Sequence, residues 1–290
     1  MPTARLHDDA PIEVTVLGAG PALLLPVSTR VIEGPEAEQI RAWGADPNLG
    51  HHLASGLAEA GFRVITADYE GHLAAHPKPR TLSAATLAAD LLAIADAGLA
   101  GGRFAYYGYS WLALAGLQLA ARTDRLTGLA MGGFPPIGGP YDAMLDVTRA
   151  TYEMALNPPA NPTNPTPGDW DSAEMTLTPD QTRQYLSLYE SLRDFDDRTL
   201  RLPSVPKLAF AGEKDTIVYG PKWGDAVVDM VGPLISGREL LIARGWQVEV
   251  VPGADHMAAM QAAVVLPLLT SWLSALRGAG GRPGQDAVGD

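Results

Sequence analysis

Three residue types in one chain order carry the chemistry open to this sequence: a serine, a carboxylate and a histidine. Of eleven serines, only Ser110 has glycine two positions earlier, in Tyr106-Tyr107-Gly108-Tyr109-Ser110-Trp111-Leu112. An apolar strand leads into it and a Leu/Ala-rich helix leads away. A sharp strand-to-helix turn lifts a hydroxyl above the carboxyl edge of a sheet, and a small residue at minus two lets neighbouring strands approach. The helix N-terminus offers free N–H groups and the positive end of its dipole to a developing oxyanion. A plain helix N-cap is the competing account of the same serine.

A serine nucleophile needs a base. Of the six histidines (7, 51, 52, 72, 76 and 256), only His256 follows Ser110, in Pro252-Gly253-Ala254-Asp255-His256-Met257. It comes just after the last expected strand, where serine–acid–histidine order puts the base. The acid belongs at the end of the strand between them. Ala209-Phe210-Ala211-Gly212-Glu213-Lys214-Asp215 supplies an apolar strand, a turn glycine and a carboxylate. Asp215 is the preferred acid, able to fix the imidazole tautomer and stabilise the imidazolium. Glu213 competes from the same loop and Asp255 more weakly, because it adjoins the histidine in sequence.

The elements that must position these residues alternate. Strands are expected at Ile12–Leu17, Ala22–Val27, Phe62–Ala67, Arg103–Tyr107, Leu126–Met131, Lys207–Ala211 and Trp246–Val251. The first two read as a hairpin through Gly18-Ala19-Gly20-Pro21. Helical spacing covers Leu49–Gly61, Thr81–Leu99 and Trp111–Arg122. Such alternation predicts an α/β protein with a mostly parallel sheet and helices on both faces. Between Gly132 and Pro206 only helical stretches occur, Tyr141–Leu156 and Thr178–Asp194, around a Pro/Asn/Thr-rich segment at Pro158–Asp171. This is expected to be a helical cap over the core, with a second domain as the alternative. The Gly-rich end, Gly278–Asp290, is expected to fray.

Composition narrows the function classes. The 290-residue chain is 47% apolar and 19% charged, with 21 basic against 33 acidic residues, a formal net charge of −12. The apolar share builds a sizeable core, and the acidic balance argues against nucleic-acid or anionic-membrane partners. With no cysteine there is no disulfide framework, thiolate metal site or cysteine nucleophile. A charged N-terminus without an apolar stretch, and no uninterrupted span of about 20 apolar residues, predict a soluble cytoplasmic protein. Metal is not expected at His51-His52 or His72…His76, where Pro77 and Pro79 oppose a regular helix, and Gly18-Ala19-Gly20 lacks the third glycine of a dinucleotide fingerprint. No cofactor is expected. Arg198, Arg201 and Lys207 look like a solvated patch, and oligomeric state is left open.

Gly108-Tyr109-Ser110, Gly212-Glu213-Lys214-Asp215 and Gly253-Ala254-Asp255-His256 resemble the α/β-hydrolase family, over a strand–helix order running from about Ile12 to Leu276. The resemblance implies an eight-stranded, mostly parallel sheet with a lid after the sixth strand. The core is then residues 1–132 and 206–277, the cap 133–205 and the tail 278–290. Two positions depart from the family pattern. Leu112 stands where Gly-Xaa-Ser-Xaa-Gly has a small residue, and Leu25-Pro26-Val27-Ser28-Thr29 replaces a His-Gly loop. By position the oxyanion donors are the amides of Trp111 and Ser28, with Val27 the alternative to Ser28, and the Ser28 hydroxyl a possible third. The expected activity is serine hydrolysis of an ester, thioester or lactone of a small, apolar acyl substrate, bordered by Tyr109, Phe134, Tyr141 and Met144. Acyl transfer or cyclisation through the same acyl-enzyme, and ligand binding without turnover, are the alternatives. The long segment Ser28–Pro47 is expected to overhang the site as a loop.

Overall fold

The computed structural model describes residues 1–158 and 177–279. Trp170, most of the Pro/Asn/Thr-rich stretch and the tail from 280 onward lie outside the described residues.

Among the described residues, seven strands form the central sheet. In chain order they are β3 (Thr15–Leu17), β4 (Ala22–Leu25), β5 (Arg63–Thr66), β6 (Phe104–Tyr109), β7 (Leu126–Gly132), β8 (Lys207–Gly212) and β11 (Trp246–Val251). Their spatial order is β11-β8-β7-β6-β4-β5-β3, parallel throughout except for the edge strand β3, which runs antiparallel to β5. Every residue of β6 and β8 is buried, as befits parallel strands covered on both faces. The fold class read from the sequence is therefore present, with seven central strands rather than eight.

Alternation along the strands builds two cores. Leu24, Ile65, Tyr106, Leu129 and Ala209 face one side, packed against Leu87, Leu91 and Leu117 of α4 (Ala84–Leu99) and α5 (Trp111–Ala120). Leu23, Leu25, Val64, Tyr107 and Phe210 face the other, packed against Leu53 and Leu57 of α2 (Leu49–Glu59) and Val265 and Leu269 of α11 (Ala262–Ala279). Neighbouring residues of one strand serve opposite cores because side chains alternate with a period of two.

The structure corrects several expected elements. Residues 12–17 are not one strand: β2 (Pro11–Glu13) pairs with β1 (Thr3–Arg5) in a separate two-stranded ribbon, and β3 begins after Val14. Nor do β3 and β4 form a hairpin, since β5 lies between them and pairs with both. The 18–21 connection passes over the start of β5, where a Cβ on Gly18 would fall 2.4 Å from the Phe62 carbonyl oxygen. Placing β5 there gives this parallel strand a ladder on both sides and leaves the antiparallel β3 at the edge of the sheet. The 28–47 segment is not structureless, because α1 (Gly34–Ala42) lies within it. A short helix α3 (Tyr69–Ala75) also precedes Pro77, capped by Asp68, whose side chain accepts from the Gly71 N–H.

Between β7 and β8, α6 (Tyr141–Leu156) and α7 (Pro179–Glu190) pack against each other. Thr178 and Gln181 close a capping box at the start of α7. After β8, β9 (Thr216–Val218) and β10 (Val227–Asp229) form a small antiparallel ribbon with no forerunner in the sequence reading. Among the described residues no helix is long and apolar enough to cross a membrane.

Candidate active site

Ser110 occupies the single residue between β6 and α5. Its backbone has φ 55° and ψ −127°, a conformation that L-residues rarely adopt and that persists only where its surroundings enforce it. Two contacts do so here. The Ser110 N–H donates to the Gly132 carbonyl of β7 at 2.8 Å, and the Ser110 carbonyl accepts from the Ala113 N–H at 2.9 Å. Gly108 makes the turn possible, since a Cβ there would stand 2.2 Å from the Leu112 carbonyl oxygen. That carbonyl also accepts from the Tyr106 hydroxyl at 2.7 Å. The crowding at position 112 thus involves its main chain, while the leucine side chain is buried in the core. Leucine is accommodated without loss of the turn.

Asp215 and His256 meet beyond the ends of β8 and β11. Asp215 is fully buried, and its Oδ1 stands 2.8 Å from His256 Nδ1, a pair 41 residues apart in the chain. Gly212 lets the histidine loop cross close to β8, because a Cβ there would lie 2.3 Å from the Ala254 carbonyl oxygen. The Asp215 carbonyl accepts from the N–H groups of Met230 and Val231 after β10, so the new ribbon anchors this loop. Asp215 Oδ2 is buried without a partner among the described residues. The competing carboxylates are otherwise engaged. Glu213 accepts from the Gly253 N–H at 2.7 Å, and Asp255 caps α10 (His256–Ala259) by accepting from Ala258 N–H. Tyr109 donates its hydroxyl to the His256 carbonyl at 2.7 Å, with ring centroids 5.1 Å apart. Burial and then the nearby Asp215 carboxylate push the Tyr109 hydroxyl well above its usual pKa, so it stays a donor.

Ser110 and His256 line one cavity of about 310 Å³. Tyr109, Trp111, Leu112 and Val27 share the wall, as do Leu49 and Leu53 of α2 and Met257 and Met260 beside the histidine. Trp111 opens α5, and as the first residue of the helix its N–H has no intrahelical acceptor. The Val27 N–H is engaged, donating to the Leu25 carbonyl at 2.8 Å. Ser28 is not part of the cavity wall, and its hydroxyl oxygen accepts from the Arg30 N–H at 3.3 Å. Of the expected substrate-bordering residues, Tyr109 alone is at this wall. Phe134 and Tyr141 pack edge to face at 5.7 Å, and Met144 packs against the same core. Those aromatics serve the packing of α6, which spends the surface that was expected to meet a substrate.

One wall residue had not been singled out. Glu70, in the first turn of α3, accepts from the Trp111 indole Nε1–H at 2.7 Å. Its side chain keeps solvent access through the cavity but is hemmed in by protein. That desolvation raises its pKa, with the Trp111 hydrogen bond opposing and Asp68 adding to the rise. His72, which did draw notice in this segment, is not in the cavity wall; burial and then Lys78 lower its pKa. Lys207 is not solvated. It is buried, donates Nζ to the Val205 carbonyl at 3.1 Å, and with Arg198, Arg201 and Arg244 lines a different cavity of about 550 Å³.

Solved structures with similar architecture include proteins named as esterases, an enol-lactonase, epoxide hydrolases and a putative non-heme bromoperoxidase. A thermophilic esterase from Thermogutta terrifontis superposes with TM-score 0.59 at 16% identity, covering 94% of this chain and 98% of the other. An enol-lactonase from Burkholderia xenovorans LB400 gives 0.56 at 19% identity, with 94% and 100% covered. An epoxide hydrolase from an endophytic Streptomyces gives 0.61 at 16%, with 95% of each chain covered. No family model matches the sequence, and no curated protein does. The chain has the α/β-hydrolase fold.

Proposed function

We propose that this protein is a serine hydrolase acting on an ester, thioester or lactone of a small, largely apolar substrate. The observation that carries the proposal is the 2.8 Å contact between Asp215 and His256 beside a cavity that Ser110 also lines. A proton held on Nδ1 by Asp215 leaves the Nε2 lone pair available to take the Ser110 proton. The Ser110 oxygen then attacks the acyl carbon, and the oxyanion is met by the Trp111 N–H and a second amide from the 27–28 loop. Ser28 is the donor by position, although it lies outside the cavity wall; Val27 is the alternative, which lines the wall but gives its N–H to the Leu25 carbonyl. His256 returns its proton to the leaving group, and water, deprotonated in turn by His256, releases the acid from the acyl-enzyme.

Residues 133–205 act as a cap in this account. Its support is Tyr185 of α7, whose ring meets Trp111 edge to face at 5.5 Å, bringing the inserted helices to the rim of the site. The apolar wall formed by Leu49, Leu53, Met257 and Met260 favours an apolar acyl group.

A series of p-nitrophenyl esters of increasing acyl length tests the proposal. Wild type cleaves short apolar members, and Ser110→Ala lowers kcat by at least about 10³-fold. Product favouring an added alcohol over water indicates acyl transfer instead. Saturable ligand binding without turnover indicates a binding protein.

A further inference from the structure

The active-site cavity is largely apolar apart from its reacting groups; its further polar side chains include Glu70, Tyr107, Tyr109 and Tyr219. Leu25, Leu49, Leu53, Ile217, Met257 and Met260 supply much of its wall. The Tyr109 hydroxyl is spent on the His256 carbonyl, and Tyr107 is buried with its ring stacked on Phe210. Among the described residues, Glu70 is the one carboxylate in the wall. Glu70 is exposed, so its carboxylate is hydrated when the cavity is empty, and a substrate donor can take the place of that water. The Trp111 indole meets one oxygen, Oε1, and among the described residues no protein donor meets the other.

The carboxylate is also held in place. Glu70 sits in the first turn of α3, whose N-terminus is fixed by the Asp68 cap. The Trp111 ring that binds it is stacked on Tyr69, with centroids 6.3 Å apart, and braced edge-on by Tyr185 at 5.5 Å. Trp111 therefore links two functions: its main-chain N–H lies beside Ser110 and its indole orients Glu70.

We infer that Glu70 is a specificity-determining residue, whose second carboxylate oxygen accepts a hydrogen bond from a hydroxyl or ammonium group on an otherwise apolar substrate. The inference rests on the cavity of Ser110 and His256 being the substrate site, and it deepens the proposed hydrolase activity by naming the polar group the substrate carries. An amine gains charge pairing as well as the hydrogen bond, and a hydroxyl gains the hydrogen bond alone.

Binding of unreactive analogues tests this without turnover. The probes are matched N-methyl amides of short carboxylic acids whose far ends are methyl, hydroxyl or ammonium, at two to five carbons from the carbonyl, measured by calorimetry. In wild type the best-spaced hydroxyl or ammonium amide binds about tenfold tighter than its methyl counterpart. Glu70→Gln keeps an amide oxygen for the Trp111 indole but turns an NH2 toward the cavity, so the ammonium preference falls to near unity. Glu70→Leu removes both preferences. Equal affinities for the three end groups in wild type overturn the inference. So does a Glu70→Gln protein that keeps the wild-type ammonium preference, because Glu70 would then only hold the indole. Fluorophosphonate labelling of Ser110 in the same samples is a separate readout. Its failure removes the hydrolase proposal and leaves the affinity ratios to judge Glu70.

Discussion

The Asp215 carboxylate grips Nδ1 of His256 from a fully buried position, while its other oxygen has no partner among the described residues. A buried carboxylate with one ligand of this kind is built to orient an imidazole and to balance the charge that forms on it. Asp215→Asn keeps the shape of the side chain and the main-chain bonds to Met230 and Val231. It is expected to lower kcat by about 10³- to 10⁴-fold, with a near-native thermal midpoint. Steady-state ester hydrolysis alongside thermal unfolding checks both parts, and loss of less than tenfold in kcat contradicts the assigned role.

Gly108 and Leu112 make the second prediction. A methyl group at 108 would press on the Leu112 main chain at 2.2 Å, with no flexible side-chain end to yield. Gly108→Ala is expected to destabilise the fold by about 1–3 kcal/mol, as overpacking does, and to disturb the Ser110 turn. Chemical denaturation measures the first effect and the rate of serine labelling the second.

Asp90 joins three parts of the structure. It is buried and accepts from the His7 main-chain N–H at 2.6 Å and the Tyr69 hydroxyl at 2.7 Å, with the His7 ring also in reach. Asp90→Ala strands those donors. The expected loss is about 3 kcal/mol, or roughly 5–10 °C in thermal midpoint. A change under about 2 °C would show that the network contributes nothing.

Acidity at Glu70 gives a pH signature. Its folded pKa is raised above the ordinary 4.5, chiefly by desolvation. Between those two values the folded state binds more protons than the unfolded chain, so stability falls as pH rises through the window. The contribution is complete below 4.5 and is lost once the pH passes the folded value. Glu70→Gln cannot titrate. The midpoint of the variant is thus expected to gain on wild type as the buffer is taken from below 4.5 toward neutral, and a constant difference contradicts the raised pKa.

Ser110, Asp215 and His256 could be picked out as candidates in the sequence because each follows an apolar strand, where the chain must turn at the carboxyl edge of the sheet. Gly108, Gly212 and Gly253 mark those turns. Asp215 was already preferred from the sequence over Glu213 and Asp255, and the hydrogen-bond partners of the three loop carboxylates separate them further. The β3–β4 hairpin failed because a Gly/Pro turn is a local signal, whereas insertion of β5 is decided by ladders formed far along the chain. Helices α1 and α3 are short and carry weak periodicity. Glu70 was hidden for a related reason. An acidic residue in a helix's first turn is ordinary, being favoured by the helix dipole, so nothing in sequence marks it as cavity-facing. Phe134, Tyr141 and Met144 show the converse: large apolar side chains in an inserted helical region are claimed first by its own packing.

The central claim is that Ser110 is an activated nucleophile. Incubating the protein with a fluorophosphonate, then measuring intact mass and mapping the modified peptide, tests it most directly. The account predicts one adduct per chain on Ser110, abolished by Ser110→Ala and slowed by Asp215→Asn. A folded wild-type protein that remains unlabelled at Ser110 while a known serine esterase labels fully under the same conditions would contradict it.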